Sequence, residues 1–401
     1  MAERKLDLRT GQPVWTAYRA PAVVTERLKR DLTVDVLIVG MGIGGALAAE
    51  RLSSAGLKVA VVDRRGPVKG STPASTALIQ FEIDQPLGIL SSKVGREKAE
   101  RAWRRSRLAL DALKARIQDL CIECDMIERP SLFLAGDMLG ARALEEEAEQ
   151  RRTAGLAAAF LTRATVRDGY GIDRAAIRSQ GNLALDPRKL TASLLLLAKD
   201  RGARLFAPVE ANEFNDHKSN VEVATTGGQT ITASHVILAT GYELMDFVPA
   251  TSHKIISTWA IATRRQKSNL WPEKAMAWEA SDPYLYFRTT SDGRVICGGE
   301  DEDFEDEDKR DALVDAKSKR ITAKLKALMP GIHTTPEFKW TGSFGTTTTG
   351  LPIIGALPQR PRIFAVMGYG GNGITFAEIA AGMITTSILG AKDPDLDLFA
   401  F

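Results

Sequence analysis

Residues 33–63 read TVDVLIVGMGIGGALAAERLSSAGLKVAVVD, and this stretch decides the fold. An apolar run, Thr33–Val39, predicts a buried strand that ends at Gly40. Met41–Ala55 predicts a helix, and Leu57–Val62 predicts a second strand. A strand, a helix and a second strand in this order indicate a parallel sheet with helices on its faces. The chain is therefore expected to begin as an α/β domain.

The turn between the first strand and the helix carries Gly40, Gly42 and Gly45 in the spacing G-x-G-x-x-G. In such a turn the first glycine permits a sharp bend, the second lets a pyrophosphate approach the backbone, and the third lets the helix pack against the strand. The free N–H groups at the start of the helix then face the phosphates. Asp63 ends the second strand, where a carboxylate can accept hydrogen bonds from ribose hydroxyls. The stretch predicts a dinucleotide site, but it does not separate FAD from NAD.

Two later stretches favour FAD. Residues 232–241, TASHVILATG, predict a strand that ends in the turn Thr240–Gly241, and they resemble the second fingerprint of the glutathione-reductase-like FAD fold. Residues 368–375, GYGGNGIT, precede the last predicted helix, Gly373–Leu389. The N-terminus of that helix can stabilise the negative charge that a flavin acquires with a hydride. An NAD-dependent enzyme is the alternative that both stretches oppose.

From about Val34 to Leu389 the chain resembles the FAD-dependent superfamily of D-amino-acid oxidase, glycine oxidase and sarcosine oxidase. Gly70–Thr76 takes the place of the family's loop that wraps the flavin. Leu185–Pro187, Trp340–Gly345 and Gly350–Gly355 follow in the family's order. The resemblance implies an α/β fold in which a Rossmann-like, glutathione-reductase-like FAD-binding domain is interleaved with an antiparallel-sheet α+β substrate domain.

The resemblance also implies how the chain is divided. Residues 31–85, 151–245 and 336–401 are predicted to form the FAD-binding domain, residues 86–150 and 246–335 the substrate domain, and residues 1–30 an N-terminal arm. The predicted contacts of FAD are Gly40, Gly42, Ile43, Gly44, Gly45, Asp63, Arg64, Ser71, Thr72, Ser75, Thr76, Val209, Thr240, Gly241, Gly345, Gly370, Gly371, Asn372, Gly373 and Ile374.

The family's chemistry is oxidation of a C–N bond in a small amine or amino acid, by hydride transfer to flavin N5. Two of the family's residues are missing here. Phe344 stands where an arginine clamps the substrate carboxylate, and Ile296 where a lysine promotes reaction with oxygen. The electron acceptor is therefore left open between oxygen and another molecule. The cysteine that some members attach to the flavin has no counterpart near Gly342, which predicts noncovalent FAD.

Tyr284, Tyr286 and Arg288 are the candidate catalytic residues, because the spacing of two places them on one face of a predicted strand. On that face Arg288 would replace the missing clamp and the tyrosines would orient the substrate; the alternative is a face turned to solvent or to a partner. Trp259 and Trp278 are interpreted as core residues rather than pocket walls.

Gln80 and Glu82 follow the predicted flavin loop and are weak candidates for the same site. The acidic run Glu300–Asp308 is predicted to be a solvated loop, because like charges repel one another and stay hydrated. A flavoprotein with an assembly or partner-binding role and little turnover is the alternative function, which the missing arginine and lysine favour.

Composition excludes other classes. The 53 basic and 50 acidic side chains nearly cancel, and the basic run Arg96–Arg116 has the apolar spacing of a surface helix, so no nucleic-acid partner is predicted. No apolar stretch is long enough for a membrane span. Three cysteines, an odd number, argue against disulfides and for the cytoplasm. Cys121 and Cys124 have no neighbouring histidines, so no metal site is predicted, and a redox pair is the lesser alternative to two packing cysteines.

Overall fold

The computed structural model describes residues 7–250, 252–266 and 268–401, whose strands form two β-sheets with helices packed around them. In chain order the strands are β1 (Arg9–Gly11), β2 (Leu32–Val39), β3 (Val59–Val62), β4 (Leu78–Ile79), β5 (Ile127–Leu134), β6 (Ala159–Leu161), β7 (Ala176–Ala184), β8 (Arg204–Phe206), β9 (Ala211–Asp216), β10 (Val221–Thr225), β11 (Thr230–Leu238), β12 (His253–Thr263), β13 (Met276–Glu279), β14 (Leu285–Thr289), β15 (Val295–Glu302), β16 (Pro336–Thr347), β17 (Ile353–Leu357) and β18 (Arg360–Met367).

The α-helices surround these strands and are numbered in the same way. They are α1 (Ile43–Ser54), α2 (Leu87–Val94), α3 (Arg96–Asp119), α4 (Ala141–Thr153), α5 (Arg163–Tyr170), α6 (Pro187–Asp200), α7 (Glu307–Ala312), α8 (Val314–Leu328), α9 (Gly373–Ile388) and α10 (Leu396–Phe399). None of the helices within the described ranges is long and apolar enough to cross a membrane.

The first sheet has the order β17-β18-β11-β2-β3-β8, and β18, β11, β2, β3 and β8 run parallel. The successive residues Leu37 and Ile38 on β2 point to opposite faces and are both fully buried. Helices α1, α6 and α9 cover the face of Ile38, and the antiparallel strands β9 and β10 cover the face of Leu37. Burial on both faces explains the unbroken apolar run, and the predicted Rossmann-like start is confirmed.

The second sheet has the order β1-β16-β12-β15-β14-β13-β5-β7-β4, with β6 paired to β7. Its neighbours run antiparallel except for β13 and β5, which run parallel. Helix α8 packs on one face, where Ile321 and Leu325 share a core with Trp259 and Phe287. The predicted combination of a Rossmann-like domain with an antiparallel-sheet domain is confirmed.

Sheet membership differs from the predicted division of the chain. Strands β4, β6, β7 and β16 belong to the second sheet, although they fall in segments that were assigned to the FAD-binding domain. The N-terminal arm also joins this sheet, because β1 pairs with β16 and places Arg9 opposite Gly342. The sheet to which a strand belongs depends on strands that are far away in the sequence. The residue pattern within a segment does not show which strands these are.

The acidic run forms an exposed loop only over residues 303–306, so the prediction of a solvated loop is wrong for both ends of the run. Strand β15 continues to Glu302, and α7 begins at Glu307. The Glu300 side chain is only 6% exposed and pairs with Lys317 and Lys324 of α8. The compensating charges come from a helix further along the chain, so a count of charges within the run could not include them.

The basic run forms α3, and its arginines make ion pairs. Arg101 and Arg105 pair with Asp395 and Asp393 of the C-terminal segment, at 3.1 and 2.7 Å. Arg116 pairs with the buried Glu50 of α1. These contacts fasten α3 to the rest of the protein and offset its positive charge.

Candidate active site

A long cleft is lined by residues from both sheets. Its outer and inner parts share Gly42, Ser71, Thr72, Ala239 and Gly241 as common walls. The cleft therefore runs without a break from the outer part, beside the first sheet, to the inner part, where both sheets contribute walls.

The glycine turn after β2 forms the middle of the cleft. Gly40 has a φ of +117°, and a Cβ atom there would lie 2.3 Å from the Ala239 carbonyl oxygen. A Cβ atom on Gly45 would lie 2.0 Å from the Gly40 oxygen, so Gly45 packs behind the turn. Gly42, Ile43 and Gly44 line the cleft at the start of α1. The turn is a cradle that only glycines allow, with helix N–H groups at its surface.

The outer part of the cleft contains Asp63, Arg64, Val209 and Thr240, as predicted for cofactor contacts. The Asp63 carboxylate accepts hydrogen bonds from the N–H groups of Met41, at 2.8 Å, and of two residues in the following turn, at 2.7 Å each. These bonds fix its position at the end of β3, and the oxygens keep lone pairs for further donors. The guanidinium of Arg64 pairs with carboxylates on the cleft wall.

The predicted flavin loop lines the inner part through Ser71, Thr72, Ser75 and Thr76. Side chains from three distant elements hold its successive carbonyl groups. Trp340 Nε1 donates to the Ala74 oxygen (2.8 Å), Trp15 Nε1 to the Ser75 oxygen (2.7 Å) and Arg288 Nε to the Thr76 oxygen (2.8 Å). We call these donors the three loop tethers. They hold the loop in one conformation along the cleft.

The prediction that Arg288 replaces the carboxylate clamp is wrong. Its Nη1 and Nη2 donate to the carbonyls of Thr289 (3.1 Å) and Leu185 (2.9 Å), and its guanidinium lies 5.1 Å from the Trp15 ring centre. Arg288 does not line the cleft, and burial lowers its pKa to about 9. It shares a strand face with Tyr286, but at residue 288 that face lies beneath the flavin loop.

The C-terminal glycine stretch lines the inner part at the start of α9, through Gly370, Gly371, Gly373 and Ile374. Asn372 lies behind this wall. Its Oδ1 accepts from the Asp84 N–H at 3.0 Å and its Nδ2 donates to the Glu82 carbonyl at 2.8 Å. Asn372 therefore holds the wall in place and does not line the cleft. The prediction that Asn372 contacts FAD directly is not supported by this position.

Gly345 also lies away from the cofactor cleft, although it was predicted to contact FAD. A Cβ atom there would lie 2.1 Å from His253 Nε2 of the neighbouring strand β12. Gly342, Ser343 and Phe344 line the cleft instead. The error is a matter of register along β16, which the order of motifs does not specify.

The inner part is walled by aromatic rings. Tyr284 and Tyr286 line it with ring centres 5.5 Å apart, as predicted. Trp278 belongs to a buried core cluster, as expected, with its ring stacked on Phe133 at 5.0 Å, but it also lines the inner part of the cleft. Trp259 is a core residue as expected, 1% exposed.

Four further lining residues were missed from the sequence: Asp84, Thr258, Tyr242 and Tyr369. Tyr369 lies within the glycine stretch and could have been proposed from it. Asp84 carries no local signal, because it is brought to the cleft by its hydrogen bond from the Gly371 N–H, at 2.7 Å. Gln80 lines the cleft, whereas Glu82 is buried behind it.

Two carboxylates give this region its electrostatic character. Asp84 lines the cavity, and its side chain is exposed to it. Desolvation by the surrounding protein raises the pKa of Asp84, and the Gly371 N–H opposes that shift. Asp301 lies behind Thr258, and burial raises its pKa to about 7, with the negative charge of Asp84 adding to the shift. Burial also raises the pKa of Tyr284, so its hydroxyl stays protonated.

The two glycine-rich turns and the cleft between the two sheets indicate that the protein is a flavin-dependent oxidoreductase. The chain matches the sequence model of the DAO family, described as FAD dependent oxidoreductase, over residues 35–387, and it belongs to that family. The resemblance found in the sequence is confirmed.

Known relatives are distant but cover nearly the whole chain. Gamma-glutamylputrescine oxidoreductase of Escherichia coli K12 is 24% identical, over 94% of this chain and 88% of the relative. Glycine oxidase from Geobacillus kaustophilus superimposes with a TM-score of 0.75 at 20% identity, covering 92% of this chain and 98% of that structure. L-proline dehydrogenase from P. horikoshii superimposes with a TM-score of 0.73 at 18% identity, covering 92% and 97%. At these identities the structures establish the shared fold.

Proposed function

We propose that the protein oxidises a C–N bond of a small amine or amino acid with noncovalently bound FAD as the hydride acceptor. The observation that carries this proposal is that one continuous cleft joins the glycine cradle to a chamber lined by aromatic side chains. Relatives named gamma-glutamylputrescine oxidoreductase, glycine oxidase and L-proline dehydrogenase support an amine or amino acid as donor.

The residues present fit FAD. The turn Gly40–Gly45 would hold the pyrophosphate, because a side chain at Gly40 or Gly45 would collide with the backbone. Asp63 would accept from a ribose hydroxyl in the outer part of the cleft. The loop Ser71–Thr76 and the stretch Gly370–Ile374 would enclose the isoalloxazine in the inner part. FAD, when bound, supplies the N5 atom that accepts hydride.

Noncovalent attachment is part of the proposal. Cys121, Cys124 and Cys297 are all free thiols, and none of them is among the described residues that line the cleft. Free thiols also support the proposed cytoplasmic location.

The chain's own groups would bind and orient the donor. The carbon beside nitrogen would lose hydride, and the nitrogen lone pair would form the C=N bond of an iminium. Water would then hydrolyse the iminium to a carbonyl product and ammonia or an amine. The amine must enter this step without its extra proton. The protonated hydroxyls of Tyr284 and Tyr286 would orient the donor, and the aromatic walls would keep water from the reacting carbon. The final acceptor of the electrons is left open between oxygen and another molecule.

Anaerobic reduction of the bound flavin tests the proposal. Purified protein should show the visible flavin band, and a panel of amines and amino acids should bleach it in the absence of oxygen. Tyr286→Phe should keep the band and slow the bleaching by roughly 10–100-fold, because it removes one hydroxyl from the chamber. Flavin that no donor bleaches would contradict the proposal and favour an assembly role. Admitting oxygen or a dye afterwards identifies the acceptor.

A further inference from the structure

The part of the cleft beyond the cofactor cradle has an unusual charge. We define the inner chamber by Gln80, Asp84, Thr258, Trp278, Tyr284 and Tyr286, which line it. Among the described residues that line the whole inner part of the cleft there is no lysine, arginine or histidine, and Asp84 carries the one formal charge. The chamber therefore presents negative potential to a donor.

A second carboxylate lies directly behind the chamber wall. Both oxygens of Asp301 are buried, and no group of the described residues donates to them in good hydrogen-bond geometry. The hydroxyls of Thr258 and Tyr284 lie close enough to lower the pKa of Asp301, whereas the negative charge of Asp84 raises it. Two neutral hydroxyls do not cancel the charge of a buried carboxylate, which therefore favours a cation or a proton nearby.

The cation that faces Asp301 from α8 has other partners. Lys317 Nζ donates to the Glu300 carbonyl at 2.7 Å and lies 2.6 Å from a Glu302 carboxylate oxygen. It also lies 4.6 Å from the ring centre of Trp259, on the core side of the sheet. Lys317 therefore leaves the negative charge of the chamber largely uncompensated.

The aromatic rings add to this preference. The side chains of Tyr284, Tyr286 and Trp278 border the chamber, and an aromatic ring can attract an ammonium group to its π-face. A substrate carboxylate would find no positive charge among the described residues that line the chamber. Phe344 offers it no charge, and the guanidinium of Arg310 is already bonded to Ser343 Oγ, at 2.9 Å, and Asp311, at 2.8 Å. A substrate carboxylate would lose its water without gaining a counter-ion.

We infer that the inner chamber is a cation-binding site, in which Asp84, Asp301 and the pair Tyr284–Tyr286 hold a second, protonated amine of a diamine-class donor. A carboxylate beside the oxidised carbon is disfavoured. This inference rests on the proposed function, because it names the donor class of the same site. The reacting amine enters without its extra proton, and the distal ammonium stays charged and fixes the carbon chain.

Binding of an unreactive cation tests the chamber without turnover. Tetramethylammonium should perturb the flavin band saturably, and acetate should not do so over the same concentrations. Asp84→Asn and Asp301→Asn should each weaken tetramethylammonium binding by at least about tenfold, since each removes one charge from the pocket. Glu305→Gln removes an exposed acid outside the chamber and should leave binding unchanged. Acetate binding, or cation binding that ignores both aspartates, would overturn the inference.

Matched donors separate this inference from the proposed function. 1,4-Diaminobutane, butylamine and 4-aminobutanoate share one chain length and differ in the charge of the tail. KM should rise in that order, and Asp84→Asn should raise KM for the diamine only. If glycine or 4-aminobutanoate bleaches the flavin at lower concentrations than the diamine, the proposed function stands and this inference fails. If tetramethylammonium binds as expected and no donor bleaches the flavin, the cation site stands and the proposed function fails.

The pH dependence of tetramethylammonium binding is a further test. Because the probe itself has no titratable proton, any change of binding with pH reports on the protein. The charged or titratable groups that face Asp301 are Asp84, Tyr284, Tyr286 and Lys317. Protonation of Asp301, with its pKa of about 7, removes negative charge, so binding should weaken as the pH falls from about 8 to about 5. Asp301→Asn should flatten that change. A profile identical in wild type and Asp301→Asn would count against the assignment.

Discussion

Arg288 shows how a single charged side chain can serve a cofactor site without contacting the cofactor. Its guanidinium donates to the carbonyls of Thr76, Leu185 and Thr289, and so joins the flavin loop to two other segments. Hydrogen bonds from a charged donor contribute about 1.5–3 kcal/mol each, and a buried carbonyl that loses its donor is costly. Arg288 thus acts on the cofactor through the backbone of the loop.

Replacement of Arg288 by methionine should loosen the loop. We expect a loss of about 3 kcal/mol or more in the free energy of unfolding and a rise of at least roughly tenfold in the Kd for FAD, because three carbonyls lose their donor. Urea unfolding and the fluorescence of released flavin measure the two effects. Arg142→Met, at an arginine that is 93% exposed, is the matched control and should change neither. Weaker donor binding with unchanged FAD affinity would instead restore Arg288 to the substrate site.

Sequence reasoning at this scale succeeded where the backbone itself sets the requirement. Gly40 and Gly45 could be assigned because their close approaches tolerate no side chain, and that rule is local. The roles of Arg288 and Asp84 could not be predicted, because Arg288 donates to the Thr76 carbonyl and Asp84 accepts from the Gly371 N–H, each more than 200 residues away. Nothing in the neighbouring sequence records such a contact.

The N-terminal arm is an element of the cofactor site. Strand β1 adds an edge to the second sheet, Leu8 lines the outer cleft, and Trp15 reaches the flavin loop. The sequence predicted an arm because the segment is charged and broken by prolines, but its docking depends on β16, which lies more than 300 residues later. The elements β2, α1 and β3 were located closely, because their pattern is set by local periodicity.

Trp15→Phe should weaken FAD binding more than it weakens the fold. The change keeps an aromatic ring and removes the donor to the Ser75 carbonyl, which should cost about 1–2 kcal/mol. Trp271→Phe is a matched control, because Trp271 Nε1 donates to the Ala275 carbonyl at the same 2.7 Å in the core of the second sheet. Both variants should lose similar stability in urea, and only Trp15→Phe should release flavin faster. Equal flavin release from the two variants would exclude a specific role for the arm.

The whole molecule is interleaved, because the chain passes repeatedly between the two sheets and the cleft takes walls from both. This architecture was expected from the order of the motifs. The inner chamber was not, because it is built from β4, β12, β13 and β14 of the second sheet and their loops, whose register no motif fixes. The family's pattern therefore predicted the cofactor half of the site much better than the donor half.

FAD should stabilise the molecule as one unit. At a free concentration one hundred times its Kd, FAD should add about 2.7 kcal/mol to the free energy of unfolding, because it binds only the folded chain. Calorimetry should show a single transition whose Tm rises with FAD concentration. Two transitions, of which only one responds to FAD, would mean that the sheets unfold independently despite the shared cleft.

The three loop tethers also govern when the cofactor site can be completed during synthesis. The first tether, Trp15, is made early, but Arg288 and Trp340 emerge from the ribosome only after most of the chain has been translated. A nascent chain that ends before residue 340 can contain Trp15 and Arg288, yet its flavin loop still lacks the third tether, Trp340. Stable capture of the cofactor is therefore a late event in biosynthesis, and truncated chains should emerge without colour.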